Sequence, residues 1–196
     1  MNSLFPVEYN FPEGLSYFSD FLSEQEERNL LNSISDIPLH NMLFQGFEAK
    51  RRIASFGYDW SFEKRILSKG KEIPSSFHSL IEKLAEHLAV TAGDFAELLI
   101  TEYPVGSVIN WHRDAPPFDL IAGVSLLSDC IFKMRPHEKA KQKRNAVISF
   151  SVKRRSLYVM RTIARTDWEH SIAPTKQLRY SITLRTLRTQ TFESAG

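Results

Sequence analysis

The stretch RYSITLRTL (Arg179–Leu187) alternates polar and apolar side chains along its length. Because successive side chains of a strand point to opposite faces, a period of two predicts a β-strand. Arg179 and Arg185 are six residues apart and therefore leave the same face, together with Ser181 and Thr183. Two readings remain open. This face points inward and binds an anion, or it points to water while the apolar face packs on the core.

Seven stretches upstream have the same period or are short apolar runs between turn-forming residues. These stretches are Glu97–Tyr103, Ser107–His112, Ile121–Leu127, Cys130–Met134, Ala146–Val152, Ser156–Met160 and Glu169–Ala173. Short strands that follow one another with turns between them are typical of β-sandwiches and barrels. We therefore expect a β-structure in the second half of the chain.

Two helices are predicted in the first half of the chain. Ser23 and Glu26 have the spacing of a capping box, and apolar residues follow at helical spacing. The second helix follows Pro74, and its apolar positions recur every three or four residues. These positions are Phe77, Leu80, Ile81, Leu84 and Leu88. The expected fold class is α+β, a single domain over residues 1–196 with helices and a lid in about 1–95 and the β-core in about 96–190.

Composition favours a globular protein. The chain has 196 residues, 42% of them hydrophobic, and a net charge of +2, which neither requires nor excludes a nucleic-acid partner. A single cysteine, Cys130, excludes an internal disulfide and a cysteine zinc cluster. The sequence shows no transmembrane run and no secretion signal at its first residues, so we expect a cytoplasmic protein. Basic residues cluster at Lys50–Arg52 and at Lys139–Arg144. Each cluster is either a solvated turn or a set of phosphate contacts.

Candidate metal ligands lie in NWHRD (Asn110–Asp114). His112 and Asp114 are two residues apart, so on a strand they share one face. A third ligand is available at His170, on a later predicted strand. Two histidines and one carboxylate on one face form the facial triad of non-haem Fe(II) oxygenases, which leaves coordination positions open. The alternative is that both histidines are ordinary strand residues with hydrogen-bonded rings.

The order of these motifs along the chain resembles a known family. The matching text is ITEYPVGSVINWHRD (Ile100–Asp114), RTDWEHSI (Arg165–Ile172) and RYSITLRTLR (Arg179–Arg188). GFEAKRRIASFGYDW (Gly46–Trp60) and the capping-box helix are also similar to bacterial members. Over nearly its whole length the chain thus resembles the AlkB-like Fe(II)- and 2-oxoglutarate-dependent dioxygenases. The resemblance implies a double-stranded β-helix, or jelly roll, with N-terminal supporting helices and a substrate-recognition lid.

The resemblance also implies roles for residues of the site. The ligands of Fe(II) would be His112, Asp114 and His170. The co-substrate 2-oxoglutarate would be bound by Arg179, which clamps its distal carboxylate, and by Tyr103, which hydrogen-bonds to it. Arg185 would line the cavity near the co-substrate's iron-side carboxylate. Thr101 and Ser181 stand where many relatives have asparagine, and they keep a shorter hydrogen-bonding group.

The reaction implied is oxidative demethylation of N-alkylated bases in DNA or RNA, as in the repair of alkylation damage. 2-Oxoglutarate and O2 are consumed, the methyl group on nitrogen is hydroxylated, and the product loses formaldehyde. The partner would be alkylated nucleic acid, bound by a monomer away from membranes. Two alternatives stay open. One is the same chemistry on a methylated protein side chain or a small molecule, and the other is a non-enzymatic domain that interacts through the basic turn at 139–144.

Candidate substrate contacts are cationic or aromatic, because a flipped nucleotide needs cations for its phosphates and aromatic planes for its base. The candidates are Arg51, Arg52, Tyr58, Trp60 and Trp168. Phe56, in the same lid-like segment, is expected in the core. Pro116 stands two residues after the aspartate ligand, where nucleic-acid demethylases of the family can carry a base-reading acid. That contact is therefore expected to be absent or to come from elsewhere, with Asp119 as the candidate.

Overall fold

The computed structural model describes residues 10–44, 47–61 and 63–188. The first nine residues, in which we read no secretion signal, lie outside this described part. The helices are α1 (Glu24–Ser35), α2 (His78–Leu88) and α3 (Thr162–Thr166). The strands are β1 (Leu15–Phe18), β2 (His40–Phe44), β3 (Phe47–Ser61), β4 (Ile66–Lys69), β5 (Phe95–Tyr103), β6 (Ile109–His112), β7 (Phe118–Leu126), β8 (Cys130–Pro136), β9 (Ile148–Val152), β10 (Leu157–Met160), β11 (Trp168–Ile172) and β12 (Arg179–Leu187).

The strands form two antiparallel sheets. The larger sheet has the order β1-β10-β7-β12-β5-β3-β2, with β4 paired to β3. The smaller sheet has the order β6-β11-β8-β9. Neighbours in the larger sheet are mostly distant in sequence, as expected when a chain passes back and forth between the two sheets of a jelly roll. The predicted α+β jelly roll is confirmed.

The eight strands predicted in the second half are β5 to β12, and the two predicted helices are α1 and α2. Ser23 and Glu26 exchange both hydrogen bonds of the capping box. The first half also contains β1 to β4, which were not predicted. The strand β3 reads FEAKRRIASFGYDWS, without a clean alternation, and its extended conformation depends on its pairing with β5. None of the helices in the described ranges has the length and apolar character that a membrane span requires.

The larger sheet is buried on both faces. Between it and the helices lies one apolar cluster, which includes Leu84 of α2 and Leu98 of β5. Between the two sheets lies a second cluster, which includes Phe132 of β8 and Tyr158 of β10. The molecule therefore has three layers: helices, larger sheet and smaller sheet. The space between the two sheets is where the inward side chains of β5, β7 and β12 meet those of β6 and β11.

The strand β12 shows which reading of RYSITLRTL applies. Arg179 and Ser181 are buried, and they contact Ser125 and Tyr103 on the side that faces the smaller sheet. Ile182 belongs to the cluster under the helices. The polar face of β12 therefore points inward, and anion binding there stays a prediction. The alternation separates two buried faces, one polar and one apolar, rather than a core from solvent.

Gly57 divides β3 into two parts. Its φ of +82° is in the left-handed region, and a Cβ there would lie 2.1 Å from the carbonyl oxygen of Ala96. Before Gly57 the strand pairs with β5, and after it the strand pairs with β4. A hairpin of β3 and β4 thus extends past β5. It contains Tyr58 and Trp60, the segment predicted as the lid.

Candidate metal and co-substrate site

The three candidate metal ligands meet where the smaller sheet faces the larger one. β6 and β11 pair so that His112 and His170 are register partners, and their ring centroids are 4.2 Å apart. Asp114 follows β6 directly, and its Oδ2 lies 3.6 Å from Nε2 of His170. The structure therefore brings together the two histidines and the carboxylate that the sequence spacing selected.

The histidine rings are held in states suited to metal binding. Nδ1 of His112 lies 2.8 Å from the carbonyl oxygen of Asn110. Because a carbonyl only accepts, Nδ1 carries the proton and Nε2 is the free ligand atom. Burial and then the neighbouring His112 lower the pKa of His170 to about 3, although the charge of Asp114 opposes this. A neutral imidazole presents a lone pair to a cation.

Asp114 supplies the negative charge. Burial opposes its ionisation, but Arg185 and then the two histidines hold the pKa of the carboxyl well below its usual range. Oδ1 accepts hydrogen bonds from Nε and Nη2 of Arg185, at 3.1 and 2.7 Å. Oδ2 is buried without a hydrogen-bond partner in the described part of the chain. Such an oxygen is unfavourable unless a cation or a donor binds to it.

This donor set fits Fe(II). Two imidazoles and a carboxylate form the facial ligand set that leaves positions open for a co-substrate. Within residues 10–44, 47–61 and 63–188, no group of three or more His, Cys, Asp or Glu side chains is arranged so that it could hold a metal ion as it stands. Metal binding by His112, Asp114 and His170 would therefore require their side chains to move. The unpartnered Oδ2 of Asp114 is the observation that supports the fit.

Arg185 holds Asp114 in place. Its guanidinium forms ion pairs with Asp114 and with Glu97, a buried residue of β5. Burial raises the pKa of Glu97, and the charge of Arg185 opposes this rise. The sequence interpretation placed Arg185 beside the iron-side carboxylate of the co-substrate. In the structure its Nε, Nη1 and Nη2 donate to two protein carboxylates, so its contacts are those of a positioning residue.

Arg165 fixes the backbone that carries Asp114. Its Nη2 donates to the carbonyl oxygens of Asp114, Ala115 and Phe118, at 3.2, 2.6 and 3.0 Å. Arg165 lies on α3 and is buried. Three backbone acceptors on one guanidinium hold the turn after Asp114 in a single conformation. The apolar residues of the surrounding TIARTD sequence follow neither helical nor strand periodicity, so the location of the Arg165 side chain could not be predicted.

Arg179 is a buried cation whose partners in the structure are neutral. Its side chain is among the most deeply buried, at 1% exposure. Nε donates to Oγ of Ser125 at 3.0 Å, and the guanidinium carbon lies 4.7 Å from the ring centroid of Tyr103. Nη1 has no hydrogen-bond partner among the described residues. A buried guanidinium with an unpartnered nitrogen is suited to a carboxylate ligand.

The other predicted co-substrate residues surround Arg179. β5 and β12 pair Arg179 with Tyr103 and Ser181 with Thr101. All four residues are buried, and Oγ of Ser181 lies 3.4 Å from Oη of Tyr103. The structure therefore places the four predicted co-substrate residues side by side on two neighbouring strands.

The two candidate arginines of β3 lie on opposite faces. Arg52 donates from Nε and Nη2 to Glu102, at 2.8 and 2.7 Å. Glu102 also accepts from the hydroxyl of Tyr180, which packs on the helix-side cluster. Arg51 is half-buried on the inner face, where burial lowers its pKa and the neighbouring Tyr103 opposes this. The structure therefore brings Arg51, and not Arg52, to the candidate site.

The aromatic candidates divide between the site and a neighbouring groove. Trp60 and Trp168 pack against the cluster between the sheets, and Trp168 is two residues before His170 on the same strand. Tyr58 instead lines a groove of 940 Å³ together with Asp119. Phe56 packs against the cluster under the helices, as expected. Of the three aromatic candidates, two thus lie on the side of the metal ligands.

Three contributors to the site were missed by sequence reasoning: Glu97, Ser125 and Arg165. Glu97 had a signal, because it is six residues from Tyr103 and therefore shares its face on the predicted strand. A carboxylate on that face needs a cation, and the arginine face of RYSITLRTL offers one. Ser125 belongs to none of the quoted motifs. Arg165 begins the motif RTDWEHSI, but the motif gave no indication that its side chain holds the backbone after Asp114.

Comparisons with known proteins show the family of the chain. The family model described as 2OG-Fe(II) oxygenase superfamily matches residues 14–188. The chain is 29% identical over 172 residues to tRNA (carboxymethyluridine(34)-5-O)-methyltransferase ALKBH8 of Mus musculus, which covers 84% of this chain and 25% of that protein. It is 24% identical to Uncharacterized protein L905 of Acanthamoeba polyphaga mimivirus, over 83% of this chain and 74% of that protein.

A solved structure, that of OsALKBH1, has the same fold. It superposes with a TM-score of 0.67 at 13% identity, over 92% of this chain and 100% of that chain. The chain spans about a quarter of the length of the mouse ALKBH8 relative, so the methyltransferase named there is a statement about that longer protein. The family model, however, covers the metal candidates, the arginine strand and both sheets. The chain therefore belongs to the 2OG-Fe(II) oxygenase superfamily, among AlkB-like relatives, as a dioxygenase that uses Fe(II) and 2-oxoglutarate.

Proposed function

We propose that this dioxygenase oxidatively demethylates N-alkylated bases in DNA or RNA. The observation that carries the proposal is the buried, unpartnered Oδ2 of Asp114 beside His112 and His170. When bound, Fe(II) with 2-oxoglutarate and O2 supplies the oxidising equivalents that hydroxylate a methyl group on nitrogen. The hydroxymethyl product then releases formaldehyde and leaves the unmethylated base.

Each residue of the site has a task in this proposal. His112, Asp114 and His170 would hold the iron, while Arg185 keeps Asp114 ionised and in place. Arg179 would bind the distal carboxylate of 2-oxoglutarate through Nη1, which has no partner among the described residues. A hydrogen bond between a guanidinium and a carboxylate is short and strong, so it fixes where the carboxylate lies. The co-substrate would thus be oriented by residues of β5, β7 and β12 before a substrate arrives.

The distribution of cations supports a nucleic-acid substrate. The loop after β8 carries four exposed basic residues, Lys139, Lys141, Lys143 and Arg144. Gln142 fastens this loop by donating from Nε2 to the carbonyl oxygens of Pro136 and His137. Met134 of β8 is the register partner of His170, so the loop begins about 10 Å along the strand from a metal ligand. Ordered cations at this distance suit the phosphates that flank a flipped base.

The test supplies 1-methyladenine and 3-methylcytosine in DNA and in RNA oligonucleotides, with Fe(II), ascorbate and 2-oxoglutarate. The name of the mouse relative refers to tRNA, so RNA belongs in the test beside DNA. We expect formaldehyde release and the loss of one CH2 from the oligonucleotide mass. Asp114→Ala, which removes the charged metal ligand, serves as the inactive control. Turnover of 2-oxoglutarate with no loss of methyl from any of these substrates would contradict the nucleic-acid part.

One observation favours a second candidate. Pro116 is exposed and provides no acid at the position that can read a base in the family. The second candidate is therefore the same chemistry on a methylated protein side chain or a small molecule. The assay distinguishes it when methyl-lysine peptides release formaldehyde and the oligonucleotides do not. Weak oligonucleotide binding that does not strengthen at low salt would point the same way, because phosphate contacts are salt-dependent.

A further inference from the structure

Gly123 and Tyr158 occupy the middle of the inner face of the larger sheet. They are register partners on β7 and β10. A Cβ on Gly123 would lie 2.1 Å from Cζ and 2.4 Å from Oη of Tyr158. Only glycine leaves room for the phenol at this point. The ring therefore leans across β7, and its hydroxyl end lies above the backbone of that strand.

The register places this point between the clamp and the metal ligands. Ser125, which accepts the hydrogen bond of Arg179, lies two residues after Gly123 on β7. Ile121, the register partner of Arg185, lies two residues before it. Each end of the site is thus about 7 Å from Gly123 along the strand. A 2-oxo diacid that runs from Arg179 to the metal ligands must pass the phenol.

Side-chain contacts agree with this location. The rings of Tyr158 and Phe132 are 4.9 Å apart, and Phe132 stacks on His170 at 5.3 Å. Burial raises the pKa of Tyr158, Tyr103 and Asp114 raise it further, and the arginines of β12 lower it. Phe132 thus connects Tyr158 with His170 through ring contacts. The phenol of Tyr158 keeps its proton at neutral pH and can donate a hydrogen bond.

We propose that Tyr158 is a further co-substrate contact. Its hydroxyl donates to 2-oxoglutarate between Arg179 and the metal ligands, and its ring limits the length of the 2-oxo diacid that fits. The inference rests on the co-substrate site proposed above and is independent of which methylated substrate is used. Gly123 is the positioning residue, because it provides the space that the ring occupies.

The experiment titrates the Mn(II)-loaded protein with 2-oxoglutarate and with 2-oxoadipate, one methylene longer, in calorimetry without substrate. Tyr158→Phe should raise the Kd for 2-oxoglutarate about three- to tenfold, the usual range for one hydrogen bond. Tyr158→Leu should lower the preference for 2-oxoglutarate over 2-oxoadipate about tenfold, because space opens for one methylene. Tyr180→Phe is the matched control. It removes a hydroxyl from the other face of β12, where the partner is Glu102, and should leave both Kd values unchanged.

A second pair of variants tests the contact with Gly123. Gly123→Ala should weaken 2-oxoglutarate binding, and the double variant Gly123→Ala/Tyr158→Leu should recover affinity relative to Gly123→Ala, because the ring that collides with the new methyl is gone. Unfolding midpoints show which variants remain folded. Wild-type Kd values in both Tyr158 variants, or additive effects in the double variant, overturn the proposal. A wild-type protein that binds 2-oxoglutarate but demethylates nothing contradicts only the proposed function.

Discussion

Arg179 and Arg185 lie six residues apart on the inner face of one strand, but their surroundings are opposite. Arg185 forms ion pairs with Asp114 and Glu97. Burial alone would lower its pKa, and these two carboxylates raise it. Arg179 has the hydroxyl of Ser125 as a hydrogen-bond partner, and its Nη1 has none among the described residues. The two inward-facing arginines of RYSITLRTL therefore have different kinds of partner.

The difference shows how to distinguish a structural charge from a ligand-binding charge. A buried cation is unfavourable without a counter-ion. Arg185 has its counter-ions in the protein, so the fold itself stabilises it. Arg179 is more deeply buried and has no carboxylate partner in the described part of the chain, and 2-oxoglutarate would supply one. β12 thus has a structural end near the metal ligands and a ligand-binding end near Tyr103.

The largest expected effect belongs to Arg185→Met. This change leaves Asp114 and Glu97 buried and unpaired, and breaking a buried pair in this way costs about 3–5 kcal/mol of unfolding free energy. Chemical denaturation of the metal-free protein measures the loss. Arg52→Met is the control, because Arg52 also pairs with a buried glutamate but is 48% exposed, so water can replace it. Equal losses in the two variants would show that Arg185 has no special structural role.

Arg179→Met should behave in the opposite way. An apolar side chain of similar size replaces an unpaired buried cation, so the ligand-free protein should keep or gain stability. Loss of the charge should weaken 2-oxoglutarate binding by about 2–4 kcal/mol, or about 30- to 1000-fold in Kd. Denaturation and calorimetry on the same preparation give both quantities. A loss of stability as large as that of Arg185→Met, with an unchanged Kd, would reverse the comparison.

The fold was predictable where the signals are local. Alternation or short apolar runs between turn-forming residues revealed all eight strands from β5 to β12, and the capping box and apolar stripe revealed α1 and α2. The strand β3 was not predictable in this way. Charged residues interrupt the alternation of polar and apolar side chains in β3. Its extended conformation comes from pairing with β5, which is distant in sequence. The bend at Gly57 likewise depends on the close approach of Ala96 rather than on its own neighbours.

The motifs of the site were predictable from the sequence, but the contacts between their side chains were not. Spacing selected His112, Asp114 and Arg179, and the structure places them as expected. The pairing of Arg185 with Asp114 and Glu97 joins residues 71 and 88 positions apart, and no local pattern encodes such contacts. The structure thus shows a contact between Arg185 and a candidate metal ligand, while its place beside the iron-side carboxylate of the co-substrate stays a prediction.

Glu97→Gln sharpens the structural side of the comparison. The amide oxygen can still accept a hydrogen bond from Arg185, but the charge is lost, so we expect a loss of about 1–3 kcal/mol in stability. Because Arg185 then has one carboxylate fewer, Asp114 should also be held less firmly, and Mn(II) affinity should fall. Glu102→Gln is the control on the same strand, facing the helices. It should reduce stability without changing Mn(II) affinity, and an equal effect on the metal would contradict this role of Glu97.

Ser125→Ala tests the ligand-binding side and has the smallest expected effect. The hydroxyl of Ser125 accepts from Nε of Arg179 and so fixes the orientation in which Nη1 stays free. Its loss should raise the Kd for 2-oxoglutarate about three- to tenfold, the range for one hydrogen bond. The exposed Ser149→Ala should change nothing. If Ser125→Ala instead lowers stability and leaves the Kd unchanged, the Ser125 contact is structural, and the two ends of β12 differ less than their surroundings indicate.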